Sequence, residues 1–142
     1  MQAIDICQIH LDDVSSAMLA GDFGRYVKLM TLPLHLIADT GTHVVANEAD
    51  LRRVFETYAE ILRIQHFTEL IRLAESAVQL QPGLISCYYE TNILQRGHRL
   101  VAPFRSHMFV RNVDGVWQTA MIANSFFLYL LSKQPSGLAD GA

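Results

Sequence analysis

Three glycine-containing turn signals in the second half of the sequence strongly limit how the chain can fold. The signals are Gln81-Pro-Gly-Leu84, Arg96-Gly-His-Arg99 and Val113-Asp-Gly-Val116. Each places glycine at a position where a two-residue hairpin turn requires a positive φ. The segments between them have the apolar and polar alternation of strands. This part of the chain is therefore predicted to form four long antiparallel strands, over 66–80, 84–96, 99–113 and 116–126.

The first half of the chain has helical periodicity instead. Apolar residues recur at helical spacing over 4–20 and over 23–30, and Pro33 ends the second run. A third run, over 51–62, follows Asn47, which is a favourable N-cap residue. Two short strands joined by a Thr-Gly turn are predicted between the second and third helices. Three helices followed by a meander are typical of an α+β domain with its helices on the concave face of a curved, mostly antiparallel sheet.

Length and charge narrow the class of protein further. A chain of 142 residues can bury one core, so 1–131 are predicted to form a single domain and 132–142 a flexible tail. The net charge of −3 and a pI near 6.0 argue against nucleic acid or membrane partners. We expect a soluble, cytoplasmic protein, because no signal peptide or membrane-spanning run is evident. Cys7 and Cys87 are predicted to be buried, reduced thiols.

Metal and cofactor motifs are not found in the sequence. The 6 histidines lack the spacing of metal ligands. Glycine motifs for phosphate binding or for a serine nucleophile are also missing from the sequence. We therefore expect neither a metal nor a cofactor.

The hairpin over 88–109 decides which side chains can line an interior. A two-residue turn pairs Glu90 with Arg105 and Tyr88 with His107, all on one face. The other face is more apolar, and burial of unpaired carboxylates is costly, so the helices are predicted to pack there. A one-residue bulge would reverse this assignment. The four ionisable or aromatic residues therefore remain an alternative pocket set.

The face that carries this charged set is predicted to be the outer one. The same pairing extends the row of Glu90 and Arg105 to Glu75 on one side and Asn124 on the other. Four apolar residues are predicted to share this face: Ile71, Leu73, Phe109 and Ile122. So many apolar side chains on a charged face predict a homodimer through the outer face of the sheet.

The inner face and the helices supply the candidate pocket residues. These are Tyr26, Tyr58, Arg72, Tyr89, Phe104, Ser106, Met108 and Trp117. Arg72 is the single charged residue predicted on the inner face, where it could bind a carboxylate or enolate, or extend to the pocket rim. Ser106 and the aromatic residues could orient a carbonyl group, or could belong to an ordinary core.

Three segments resemble the nuclear transport factor 2-like superfamily, which includes ketosteroid isomerases and SnoaL-like cyclases. They are AGDFGRYVKLM (20–30), NEADLRRVFETY (47–58) and GHRLVAPFRSHMFVRNVDGVW (97–117). The resemblance covers about residues 5–126 and implies a cone-shaped barrel with an apolar pocket. In ketosteroid isomerases the base is an Asp at the end of the first short strand, and Asp39 falls there. The oxyanion donors are not matched, since their positions fall at Val14 and at Ser106 or Arg105.

Together these features predict a protein that binds a small apolar or amphipathic molecule. The resemblance implies cofactor-free acid–base chemistry, such as isomerisation, cyclisation or dehydration, with Asp39 as the candidate general base. An Asp before Thr-Gly can equally be a turn-capping residue. The alternative is a non-catalytic dimerisation or ligand-sensing module of the same fold, so the sequence leaves open whether the protein is an enzyme.

Overall fold

A computed structural model describes residues 1–99 and 101–124 of the chain. Its elements are α1 (Ala3–Ala20), α2 (Phe23–Val27), β1 (Met30–Ala38), β2 (Gly41–Val45), α3 (Glu48–Ile64), β3 (Glu69–Gln81), β4 (Leu84–Gln95), β5 (His98–Arg99), β6 (Phe104–Val113) and β7 (Val116–Ala123). The strands form a mixed, curved sheet in the order β2-β1-β7-β6-β4-β3, with β5 paired to β4. The helices pack on this open sheet, which confirms the predicted α+β class. The predicted tail, 132–142, and the preceding residues 125–131 lie outside the described part of the chain.

The helices begin and end at capping residues that the sequence indicates. The Asn47 side chain accepts a hydrogen bond from the backbone N–H of Asp50 (2.9 Å) at the start of α3. Gly21 ends α1 in the left-handed conformation with φ 68°. The second helix is shorter than predicted, because Met30 already belongs to β1 and pairs with Thr119 in the only parallel contact of the described sheet.

The hairpin turns form close to their predicted positions. Pro82-Gly83 and Asp114-Gly115 form as predicted, whereas the third turn uses Arg96-Gly97, one position earlier. Both residues of this third turn have a positive φ, 49° and 80°, as a type I′ turn requires. The predicted strand over 99–113 is interrupted near Pro103, which has no N–H to donate to a neighbouring strand.

The register of the central hairpin agrees with the prediction, but the pairing of β3 with β4 does not. Glu90 pairs with Arg105 as predicted. On its other side, however, Glu90 pairs with Leu73 instead of Glu75. The shift is two positions because β3 contains two irregularities, one near Leu80 and one at Glu75, and each moves the pairing by one residue. Val78 and Leu80, predicted on the inner face, are consequently 60% and 53% exposed.

The side chains at the end of β7 point to the face opposite to the predicted one, because β7 contains a bulge. One extra residue, Ala120, lies between Thr119 and Met121 in the pairing with β6. Because one inserted residue reverses the faces beyond it, Ile122 and Asn124 turn to the inner side instead of the predicted outer side. Ile122 packs against the buried core.

Helix α1 is fixed to the edge strand β3 by one amide side chain. Gln8 donates from Nε2 to the carbonyl oxygen of Arg72 (2.7 Å) and accepts through Oε1 from the N–H of Ala74 (2.8 Å). These bonds satisfy backbone groups that an edge strand otherwise leaves unpaired. They also bring α1 against the part of β3 that carries Arg72.

The core consists of two adjoining apolar clusters beneath the helices. The larger contains Leu51 and Val54 of α3, and the smaller joins Leu11 of α1 to β4 and β6. Cys7 and Cys87 are free thiols in the smaller cluster and are fully buried, which confirms that prediction. Among the described residues, no helix is long and apolar enough to cross a membrane.

Candidate functional site

A small internal cavity lies between the helices and the inner face of the sheet. Its volume is about 30 Å³, which is room for about two water-sized groups. Most of the predicted pocket residues line it, namely Tyr26, Tyr58, Arg72, Tyr89, Phe104, Ser106 and Met108. The structure therefore brings these residues together, with the apolar face of the 88–109 hairpin turned inward.

Arg72 supplies the positive charge of this cavity. Its side chain extends from β3 across the sheet toward α1 and is only 8% exposed. Nη1 donates a 2.9 Å hydrogen bond to Oγ of Ser15, and Nη2 lies 3.7 Å from Sδ of Met18. Within residues 1–99 and 101–124, the ion pairs are Asp50–Arg53, Glu60–Arg63 and Glu75–Arg105. No described carboxylate therefore neutralises Arg72.

Three buried tyrosines surround this guanidinium group. Burial raises the pKa of Tyr26, Tyr58 and Tyr89, while the charge of Arg72 opposes that shift in each case. These tyrosines are therefore neutral near pH 7 and provide hydroxyl groups but no negative charge.

His10 is a cavity residue that the sequence analysis did not identify. Its Nε2 shares a 2.7 Å hydrogen bond with Oγ1 of Thr119, and only 3% of the residue is exposed. Burial lowers the pKa of His10 to about 4, so the imidazole is neutral at pH 7. The available signal was its position on the apolar stripe of α1, three residues after Cys7 and four before Val14.

Asn124 was placed on the wrong face by the predicted register. Its Nδ2 donates to Oγ of Ser106 (2.9 Å), and both residues line the cavity. The bulge at Ala120 causes this reversal. Thr91 and Ser15 add two more buried hydroxyl groups beside the cavity wall.

Two of the predicted site residues lie away from the cavity. Asp39 is exposed where β1 ends at its turn into β2, and it is not among the residues that line the cavity. Its role as a general base stays a prediction. Trp117 packs against the smaller apolar cluster and lines a separate surface depression beside Ile6 and Ile9.

The alternative set lies on the outer face of the sheet. The rings of Tyr88 and His107 stack with centroids 4.2 Å apart, and His107 Nε2 shares a 2.6 Å hydrogen bond with Ser86 Oγ. Glu90 accepts a hydrogen bond from Nδ2 of Asn92 (3.1 Å). Arg105 instead pairs with Glu75, its Nη2 donating to Oε2 over 2.8 Å.

Among residues 1–99 and 101–124, no group of three His, Cys, Asp or Glu side chains is arranged to hold a metal ion.

Comparison with solved structures identifies the fold. The chain is similar to an NTF2-like protein of unknown function from Shewanella oneidensis, with a TM-score of 0.64, 16% identity, and coverage of 85% of this chain and 97% of that one. It is also similar to a ketosteroid isomerase-like protein from Erwinia carotovora, with a TM-score of 0.60, 15% identity, and coverage of 87% and 95%. A cystatin-like-fold protein of unknown function from Nostoc punctiforme gives a TM-score of 0.62 at 13% identity, over 87% and 91% of the two chains.

The sequence matches no protein-family model and no curated protein. The similarity to solved structures is therefore one of fold. The chain has the nuclear transport factor 2-like fold, an α+β architecture in which helices cover a curved sheet.

Proposed function

We propose that this protein binds a small organic anion, most simply a carboxylate, in the internal cavity with Arg72 as its cationic anchor. The observation that carries the proposal is the buried guanidinium group without a carboxylate partner in the described part of the chain. An arginine side chain suits this role because its planar group can donate two parallel hydrogen bonds to a carboxylate.

The charges around the cavity support this proposal. The described residues that line it include no Asp or Glu. His10 is neutral at pH 7, and the three tyrosines remain protonated. Arg72 therefore carries the net charge of the lining. Burying an unpaired charge is costly, and Ser15 and Met18 offset that cost only with neutral groups.

A thermal-shift comparison tests the proposal. Hexanoate and hexanamide have nearly the same shape, but only hexanoate is charged. If hexanoate binds with a Kd of about 1 mM, then about 10 mM stabilises the folded state by roughly 1.4 kcal/mol, which raises Tm by roughly 3–6 °C. We expect this increase with hexanoate, not with hexanamide, and not in Arg72→Met. Equal shifts in the wild type and Arg72→Met would contradict the proposal.

The proposal is one of binding, and acid–base catalysis by Asp39 is a separate prediction. Its support is the resemblance alone, since Asp39 lies on an exposed turn outside the cavity lining. The cytoplasmic location likewise stays a prediction from the sequence.

We also propose that two copies of the chain associate through the outer face of the sheet. Its support is the cluster of exposed apolar side chains on β3 and β4, where Leu73, Val78 and Tyr88 are 48%, 60% and 52% exposed. A two-fold axis would bury the same patch on both copies. Sedimentation equilibrium of the wild type should give a dimer, and Leu73→Lys should give a monomer. Ile64→Lys, which changes a 52% exposed residue of α3, is the matched control and should leave the dimer intact.

A further inference from the structure

We infer that the anion is an amphipathic monocarboxylate whose head binds Arg72 and whose apolar tail lies in a surface groove between α1 and α3. This inference rests on the proposed function and deepens it. The groove has a volume of about 920 Å³. It runs from the end of α1 along α3 to the start of β3 and to the turn that follows β4.

The groove and the internal cavity share one wall residue, Met18. Its side chain lines both spaces, and its sulfur lies 3.7 Å from Nη2 of Arg72. The guanidinium group is therefore one side chain behind the groove. Methionine has three rotatable side-chain bonds and adapts readily to new neighbours, so a rotamer change of Met18 is the simplest way to join the two spaces.

The two volumes assign different parts of a ligand to the two spaces. The cavity of about 30 Å³ holds a group of a few atoms, such as a carboxylate, but not an entire ligand. The groove of about 920 Å³ falls within the usual range for small-molecule sites. A molecule with a compact charged head and an extended tail fits this combination.

The chemistry of the groove suits an uncharged tail. Its walls include Phe55, Leu62 and Phe67, which are partly or fully buried apolar residues. The groove also carries two glutamates and two arginines, Glu56, Glu60, Arg63 and Arg96, whose formal charges cancel, and Arg63 is paired with Glu60 by a 3.0 Å hydrogen bond. We therefore infer that Arg72 selects the negative charge of the ligand and that the groove selects its apolar chain.

Calorimetric titration with straight-chain carboxylates, from butanoate to dodecanoate, tests the inference on the full chain. Each added methylene buried in the groove should tighten binding about three- to fourfold until the groove is filled. Ala59→Trp places an indole in the groove, because Ala59 is a half-buried lining residue. This variant should bind long carboxylates at least tenfold more weakly than the wild type. Ala49→Trp, an exposed position on the same helix, is the matched control and should bind like the wild type.

The outcomes separate this inference from the function on which it rests. Affinity that is lost in Arg72→Met but independent of chain length, and unchanged in Ala59→Trp, would overturn the groove and leave the anion site standing. Chain-length dependence that survives in both variants would point to another apolar surface and overturn the inference. Absence of binding for every carboxylate, in a wild-type chain shown to be folded by circular dichroism, would overturn both proposals.

Discussion

Two arginines on opposite faces of the same sheet have contrasting surroundings. On the outer face, the Arg105 side chain is 76% exposed and pairs with Glu75, its Nη2 2.8 Å from a carboxylate oxygen. On the inner face, Arg72 is 8% exposed, and its described hydrogen-bond partners are Ser15 and Met18. The arginine that has water available has a carboxylate partner, and the arginine that is largely removed from water has neutral ones.

This contrast is the reverse of what stability alone favours. A charge at the surface needs little compensation, because water screens it. A buried charge needs an opposite charge and complete hydrogen bonding. The anion site that we propose would explain why the interior arginine is left without a carboxylate. The comparison also separates the two roles that we propose for the sheet, with ligand binding on the inner face and association of copies on the outer face.

The two faces should differ most in how much unfolding free energy is lost when an aliphatic side chain is truncated to alanine. Ile85→Ala removes a fully buried side chain and should lower the free energy of unfolding by about 2–5 kcal/mol, since it leaves a cavity. Val78→Ala, at a 60% exposed position of the outer face, should change it by less than about 0.5 kcal/mol in the monomer. Urea titration measures both values, and equal losses would show that the outer face is packed like a core.

A pH titration should distinguish the buried imidazole of the inner face from histidines elsewhere. Because burial lowers the pKa of His10 to about 4, the unfolded chain binds a proton at this residue between about pH 6.5 and pH 4 and the folded chain does not. Stability contributed by neutral His10 is therefore fully present above pH 6.5 and is lost as the pH falls through that window.

The expected loss attributable to His10 is about 2 kcal/mol between pH 7 and pH 5. Urea titrations of the wild type and His10→Gln at both pH values measure it as the difference between their pH dependences. His98→Gln, at an exposed position, controls for the removal of an imidazole in general. A pH dependence that is unchanged in His10→Gln would contradict the burial argument.

Removing one hydroxyl group beside Arg72 should have a smaller effect. Tyr58→Phe removes a buried hydroxyl group close to the charge of Arg72 and should cost at most about 1 kcal/mol of unfolding free energy. It should also weaken hexanoate binding by less than the Arg72 substitution does, because the positive charge remains. Calorimetry on both variants checks this order, and a larger effect from Tyr58→Phe would place the main anion contact at the tyrosine.

The smallest effect is expected at the outer ion pair. Glu75→Gln removes the carboxylate partner of Arg105, which is largely exposed. Water and salt then screen the remaining positive charge. We expect no measurable change in Tm. A clear decrease at low salt that disappears at high salt would show that the outer pair contributes more than its exposure indicates.

Much of the fold could be predicted because its signals are local. Glycine turns, the Asn47 cap and the helical stripes each depend on a few neighbouring residues, and they define the order of helices and strands. The pairing of Glu90 with Arg105 was predicted correctly, although the turn forms one position earlier, because the strand is interrupted near Pro103 and the pairing changes there by two positions. The bulges at Glu75 and Ala120 could not be predicted, because these residues are compatible with regular strands and the extra residue is required only by the neighbouring strand.

The candidate site was predicted where it depends on alternation within one strand and missed where it depends on a bulge or on two distant elements. Arg72 and Ser106 followed from strand alternation. Asn124 required knowledge of the bulge in β7. His10 lies on the apolar stripe of α1. Its hydrogen-bond partner Thr119 is 109 positions away in the chain, so no local pattern connects the two residues. A polar residue on such a stripe is a signal that sequence analysis can use.

The central claim is that Arg72 is retained for a ligand and not for stability. The most direct test is the free energy of unfolding of ligand-free Arg72→Met, measured against the wild type with Arg105→Met as the outer-face control. The account predicts that Arg72→Met is as stable as the wild type or up to a few kcal/mol more stable, because a buried charge without an ionic partner is replaced by an unbranched apolar side chain. A loss of about 3 kcal/mol or more would contradict it and identify Arg72 as a structural group whose hydroxyl partners already satisfy it.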